Sequence, residues 1–163
     1  MPPTKLWPSP LPLWQAPPEA VAAGLCGQLD GERAALSGPW RLLLLGDGSP
    51  TRHLQSLTGL AVEVEVIAME ADADPGGEAP VEVEELDRPL LRRQVWLRCG
   101  TQTLAWAESW WNQTQADRHL QERSQPIWRS LTANRAELYR EVDGLALVQA
   151  PALEAGFGRP GPY

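Results

Sequence analysis

The stretch Leu90 to Cys99 (LLRRQVWLRC), the turn Gly100-Thr101-Gln102 and the run Thr103 to Trp111 (TLAWAESWW) decide the fold. Two apolar-rich runs separated by a short glycine-containing turn predict a β-hairpin. Side chains alternate across a strand, so Leu91, Arg93, Val95 and Leu97 share one face. Arg92, Gln94, Trp96 and Arg98 share the other, which is expected to face solvent. On the partner strand Thr103, Ala105, Ala107 and Ser109 form a face of small residues. Arg93 is therefore a guanidinium on a core face, costly unless paired. Three readings follow: it pairs with a core carboxylate, it snorkels at a strand end, or it awaits the carboxylate of a ligand. The small face beside it leaves room for a small anion, or for a closely packed helix.

Upstream, Ala61 to Ile67 alternates Val62, Val64 and Val66 with Glu63 and Glu65. This predicts a strand covered on one side, as in antiparallel sheets. From Glu63 to Asp87 there are ten acidic residues and no basic one. Beyond the strand, that stretch is expected to be a solvated loop or a weak hairpin. Ser49-Pro50-Thr51 has the form of a helix start, with Leu54 and Leu57 on the apolar face and Gly59 as the stop. The run Trp40 to Leu45 is too short to assign to helix or strand.

Downstream, Gln113 to Gln125 is expected to be helical in part. Ser130 to Val142 has helical spacing of Leu131, Leu138 and Val142, and Leu145 to Ala150 is a strand candidate. The tail Gly156 to Tyr163 shows no folding signal. Residues 1–39 read as a Pro-rich arm and lead-in, with seven prolines in the first twenty residues. Proline at that density is expected to forbid regular sheet there, with Trp7 and Trp14 docking on the body. The order of elements predicts an α+β fold: an antiparallel sheet flanked by helices, with residues 40–163 as the domain.

The chain has 163 residues, 43% of them hydrophobic, and a net charge of −7. One domain with a real core is expected. An acidic chain is ill suited to nucleic acid or an anionic membrane. No apolar run approaches the ~20 residues of a membrane span. Cys26, Cys99, His53 and His119 leave few ligands for a metal or a disulfide framework. A metal-free, cytoplasmic monomer is expected. No Walker loop, nucleophile elbow or dinucleotide-binding fingerprint is present.

Several segments together resemble chorismate lyase (chorismate–pyruvate lyase), in its cyanobacterial and plastid-type branch. They are Ser49-Pro50-Thr51-Arg52 with the helix, Gly59 and the Val62 strand; the Arg93-x-Val95-x-Leu97 strand and its partner ending at Ser109; and Gln125 to Leu131 before Glu137-x-x-Arg140. The resemblance implies an antiparallel sheet with the ligand under flap loops. It implies conversion of chorismate to 4-hydroxybenzoate and pyruvate, without cofactor or metal, for quinone synthesis of the plastoquinone type. It places Arg93 on the ring carboxylate, and Pro50 and Ile127 against the ligand. No residue is assigned a catalytic role. Pro50 lacks an N–H and cannot donate. Trp128 stands where the family often has Gly. The second carboxylate has only Arg129 or Arg52 as candidates. Relatives are expected to continue into a further strand pair carrying a glutamate for the hydroxyl end, which this chain lacks. The alternatives are a non-catalytic effector-sensing domain for small carboxylates, or an inactive truncated lyase.

Overall fold

The structure, a computed structural model, describes residues 11–17, 26–29, 32–34, 38–76, 79–120, 127 and 140–163. Its centre is a three-stranded antiparallel sheet. The order is β4 (Val62–Ala71), β5 (Leu90–Cys99), β6 (Gln102–Asn112). The expected hairpin is β5–β6, joined by a two-residue turn in which Gly100 has φ 58°. A left-handed residue there favours glycine, since a side chain would crowd the backbone.

The first face of the sheet is the expected core face. Val62, Val64, Val95, Leu97 and Cys99 pack with Leu54 of helix α2 (Pro50–Thr58). Cys99 is a buried free thiol. Helix α2 starts and stops where the sequence predicts, with Pro50 in its first turn and Gly59 left-handed at its end. Ser49 holds the Ncap position, but its hydroxyl bonds Thr51 Oγ1 at 2.7 Å instead of capping the backbone. The apolar run Trp40 to Leu45 belongs to helix α1 (Gly38–Leu45). Arg140 caps its C-terminal end from a distant part of the chain, donating to the carbonyls of Leu44 (3.1 Å) and Gly46 (2.8 Å). A guanidinium there satisfies orphan carbonyls and complements the helix dipole.

The second face departs from expectation. Arg92, Gln94 and Trp96 are buried, not solvent-facing; Gln94 is 0% exposed. Two causes act. Helix α4 (Pro151–Phe157) covers the Trp96 end, where Ile67, Ala150 and Leu153 close around the indole. At the other end Glu108 gathers the polar donors, while Gln94 Oε1 is left without a donor. Glu108 of β6 accepts from Arg92 Nε (3.1 Å) and Nη2 (2.9 Å), from Gln94 Nε2 (2.9 Å) and from Trp110 Nε1 (3.3 Å). The Arg92 guanidinium also lies 4.9 Å from the centre of the Trp110 ring. A central strand covered on both faces carries polar residues only where such partners exist. Arg98, farther along, stays half exposed and pairs with Glu65 at 2.8 Å.

The arm and the tail are also more ordered than the sequence suggests. Strand β1 (Leu11–Ala16), inside the Pro-rich arm, pairs antiparallel with β7 (Leu145–Gln149). The register slips between Pro12 and Trp14, as an edge strand with a proline permits. Strands β2 (Cys26–Leu29) and β3 (Glu32–Ala34) form a small hairpin. The tail folds back: Tyr163 and Val148 exchange two backbone hydrogen bonds, and the Tyr163 ring lies 4.9 Å from that of Phe157. Phe157 meets Trp96 edge-on at 5.4 Å. Three glycines and two prolines do not prevent this, because an aromatic anchor ends the segment. The acidic stretch is strand as far as Ala71, loop over residues 72–76, and a short 3₁₀ helix (Val81–Glu85) held by buried Val83.

Gly156 marks the tightest approach between α4 and the sheet. A Cβ there would collide with Cζ2 and Cη2 of the Trp96 ring. Gly156→Ala should therefore cost about 1–3 kcal/mol by overpacking. A lowered denaturant midpoint with unchanged slope is the expected result.

Residues 128–139 lie outside the described part. They include most of the predicted Ser130 to Val142 helix, together with Trp128 and Arg129. Trp7 lies outside it too. Helix α3 (Gln113–His119) realises the expected partial helix after β6. Among the described residues no helix is long and apolar enough to cross a membrane.

Candidate functional site

Two single-residue bulges decide what surrounds Arg93. In β4 the register shifts between Val66 and Ala68, so Ile67 is extra. The parity of the strand changes there. Val62, Val64 and Val66 share the first face with Met69 and Ala71, which simple alternation would put on the other side. Ile67 turns to the second face and packs on Trp96. In β6 the register shifts at Leu104. Extrapolated from the turn without that shift, Glu108 would stand opposite Arg93. With it, Glu108 pairs with Gln94, and Arg93 faces Ser109. Glu108 is thereby carried to the opposite face of the sheet.

Arg93 sits at the centre of β5, between Met69 of β4 and Ser109 of β6. It is 3% exposed. Burial pushes its guanidinium below the usual value, since desolvation disfavours the charged form. Arginine nonetheless stays protonated across physiological pH. Ser109 Oγ accepts from Trp111 Nε1 at 3.0 Å, which orients the indole along the same face.

Next to Arg93 the sheet opens. Met69, Ala71 and Leu91 form one wall of a cavity of about 330 Å³. Gln113, Ala116, Asp117 and Leu120, on or just after α3, form the other. That volume suits a small ligand. Leu91, Ala116 and Leu120 are buried together, and Met69, Trp111 and Ile127 pack on them. The polar lining is one pair: Gln113 Nε2 donates to Asp117 Oδ1 at 2.8 Å. Asn112 starts α3 by accepting from the backbone N–H of Gln115, and Gln113 N–H bonds the Pro89 carbonyl at 2.9 Å. These bonds clamp α3 across the open end of the sheet.

None of the three residues singled out from the sequence lines the cavity, although Arg93 stands opposite its lining residue Met69 in the sheet and Ile127 packs on the Leu91, Ala116 and Leu120 wall. Pro50 is exposed in the first turn of α2 and is not among the lining residues. The small residues Ala105 and Ala107 pack against the Leu54 cluster, so that part of the face is helix packing. The room lies at the Leu91 end instead. Arg52 is exposed on α2. Sequence reasoning does not find Met69, Ala71, Gln113 and Asp117. Only the β4 bulge, which has no local signature, puts the first two there.

A three-stranded antiparallel sheet with, among the described residues, four helices makes this an α+β protein of chorismate lyase-like architecture. The chain belongs to the family described as "Chorismate pyruvate-lyase Rv2949c-like", whose profile matches residues 44–163. It is 26% identical to "Uncharacterized protein ycf21" of Cyanophora paradoxa, over 76% of this chain and 65% of that protein. It is 28% identical to "Uncharacterized protein ycf21" of Porphyra purpurea, over 76% of this chain and 67% of the relative. The chain thus spans just under two thirds of the first relative. These relatives fit the cyanobacterial and plastid-type branch.

Proposed function

We propose that this chain converts chorismate to 4-hydroxybenzoate and pyruvate, serving quinone synthesis of the plastoquinone type. The observation that carries the reading is a buried arginine on the central strand, beside a largely apolar cavity sized for one ring, in a chain of the chorismate pyruvate-lyase family. Arg93 holds the ring carboxylate in fork geometry. Ile127 supports the apolar wall, whereas Pro50, the third residue the resemblance points to, lies on α2 outside the cavity lining. In this reading residues 40–163 form the lyase domain, which acts in the cytoplasm as a monomer.

The reaction asks little of the protein. The ether bond between ring and enolpyruvyl group breaks, and the ring carbon bearing the hydroxyl loses its hydrogen as a proton. The ring becomes aromatic, and the released enolpyruvate takes up a proton to give pyruvate. Aromatisation supplies the driving force. The protein orients the substrate and neutralises its carboxylates, without cofactor or metal.

The test is direct. The purified 163-residue chain is incubated with chorismate; 4-hydroxybenzoate is followed by chromatography and pyruvate by a coupled assay. Equal formation of both above the spontaneous rate supports the lyase. No product, with 4-hydroxybenzoate still bound, would make the chain a non-catalytic small-carboxylate-binding domain. Neither product nor binding would overturn both.

A further inference from the structure

We propose that the corner formed by α1 and α2 docks on an anionic lipid bilayer, with Trp40 and Leu42 entering the head-group region. The inference goes beyond the function proposed above and does not depend on it. Among the described residues five large apolar side chains are exposed, and Trp40, Leu42, Leu57 and Leu60 of this corner are four of them. Each is between 45% and 54% exposed. Helix α1 has five large apolar residues, Trp40 and Leu42 to Leu45, and buries none of them. A helix this apolar is ordinarily covered by protein or lipid. The short connection over residues 46–49 folds α2 back against α1. That brings the Trp40 end of α1 toward the Leu57 end of α2. Leu60 follows, lying against Gly100 of the β5–β6 turn. Arg140 occupies the other, C-terminal end of α1.

Charge selects the occupant. Over the whole chain the net charge is −7, which argues against an anionic surface. The corner differs: residues 38–61 carry Arg41 and Arg52 against one acid, Asp47. The acids that follow begin with Glu63 and Glu65. Their neighbours Val62 and Val64 pack on Leu54 of α2, so strand alternation turns these two glutamates to the opposite face of the sheet. At physiological salt a charge acts over about 8 Å, so the local excess is what meets a bilayer. Arg41 is exposed and stands between Trp40 and Leu42 in sequence. Tryptophan favours the head-group level, and an arginine there lays its stem along apolar surface while its head reaches phosphate. A two-fold contact of this corner with a second copy would instead set like charges against each other.

Flotation of the full chain with vesicles tests this, using phosphatidylcholine alone and equal parts of phosphatidylcholine and phosphatidylglycerol. The unchanged chain should bind the mixed vesicles about tenfold more tightly than the neutral ones. Trp40→Ser combined with Leu42→Ser should lower affinity for the mixed vesicles about a hundredfold, the scale of withdrawing two large apolar side chains. Arg41→Gln should lose about fivefold on the mixed vesicles and nothing on the neutral ones. Denaturation midpoints should stay close to that of the unchanged chain, because these side chains are exposed. An unchanged chain that stays in solution overturns the inference, and so does binding that survives the double substitution. Equal binding to both vesicle types overturns the choice of an anionic surface. A dimer detected by light scattering without vesicles, and lost in the double variant, would assign the corner to a second copy and overturn the inference as well.

Discussion

Arg93→Ala should lower 4-hydroxybenzoate affinity by about a hundredfold while leaving a folded protein. Removing a charge-assisted, bidentate hydrogen bond from a desolvated site costs about 1.5–3 kcal/mol, and each 1.4 kcal/mol is tenfold. The site is desolvated: Arg93 is 3% exposed, and burial pushes its guanidinium below its usual value. Removing the side chain takes away a charge whose burial was itself costly, so its loss partly offsets the gap left behind. Arg93→Met, which fills more of that space, should fold better than Arg93→Ala and bind no better. Arg93→Lys should recover only part of the affinity, because an ammonium is a point charge without the fork. Titration of the three variants, each with a denaturation curve, checks the order. Unchanged affinity in Arg93→Ala would remove Arg93 from the site.

The hairpin that carries Arg93 is legible because two-residue periodicity and a glycine turn are local signals. The anomaly of Arg93 follows from the same alternation. What surrounds it is not legible, and the reason is specific. Each flanking strand contains one bulge, at Ile67 and at Leu104. Both residues are ordinary strand formers within apolar runs, so neither leaves a local mark. Yet each bulge exchanges the two faces for the rest of its strand. One brings Met69 and Ala71 to the cavity. The other carries Glu108 away from Arg93. The burial of Arg92 and Gln94 escapes for a related reason. Their partner Glu108 is 16 and 14 residues away in sequence, and it is opposed to them only once the Leu104 bulge is known. Strand β1 is hidden because proline density argues against sheet, whereas an edge strand with a slipped register tolerates Pro12.

The second large effect is on stability, and it falls on the other face of the same strand. Glu108→Ala should cost about 3–5 kcal/mol, the scale of removing one partner from a buried ion pair. Glu108 gathers Arg92, Gln94 and Trp110 onto one carboxylate, and its side chain is 17% exposed. Deleting it withdraws an acceptor from three side chains at once, two of them on buried residues. Against a typical total of about 5–15 kcal/mol that is a large share, so Glu108→Ala should unfold at a much lower denaturant midpoint. The double variant Arg92→Met, Glu108→Leu should recover part of the loss, since an apolar pair of similar bulk buries no charge, although Gln94 Nε2 and Trp110 Nε1 still lose their acceptor. Chemical denaturation of the two single variants and the double variant measures the coupling. Simple additivity would mean that the pair contributes nothing specific. The cavity lies on the Arg93 face, so the folded fraction of Glu108→Ala should bind 4-hydroxybenzoate as the unchanged chain does. A shared loss of affinity would show that the two faces of β5 are coupled, with the buried network setting the position of Arg93 through the strand between them.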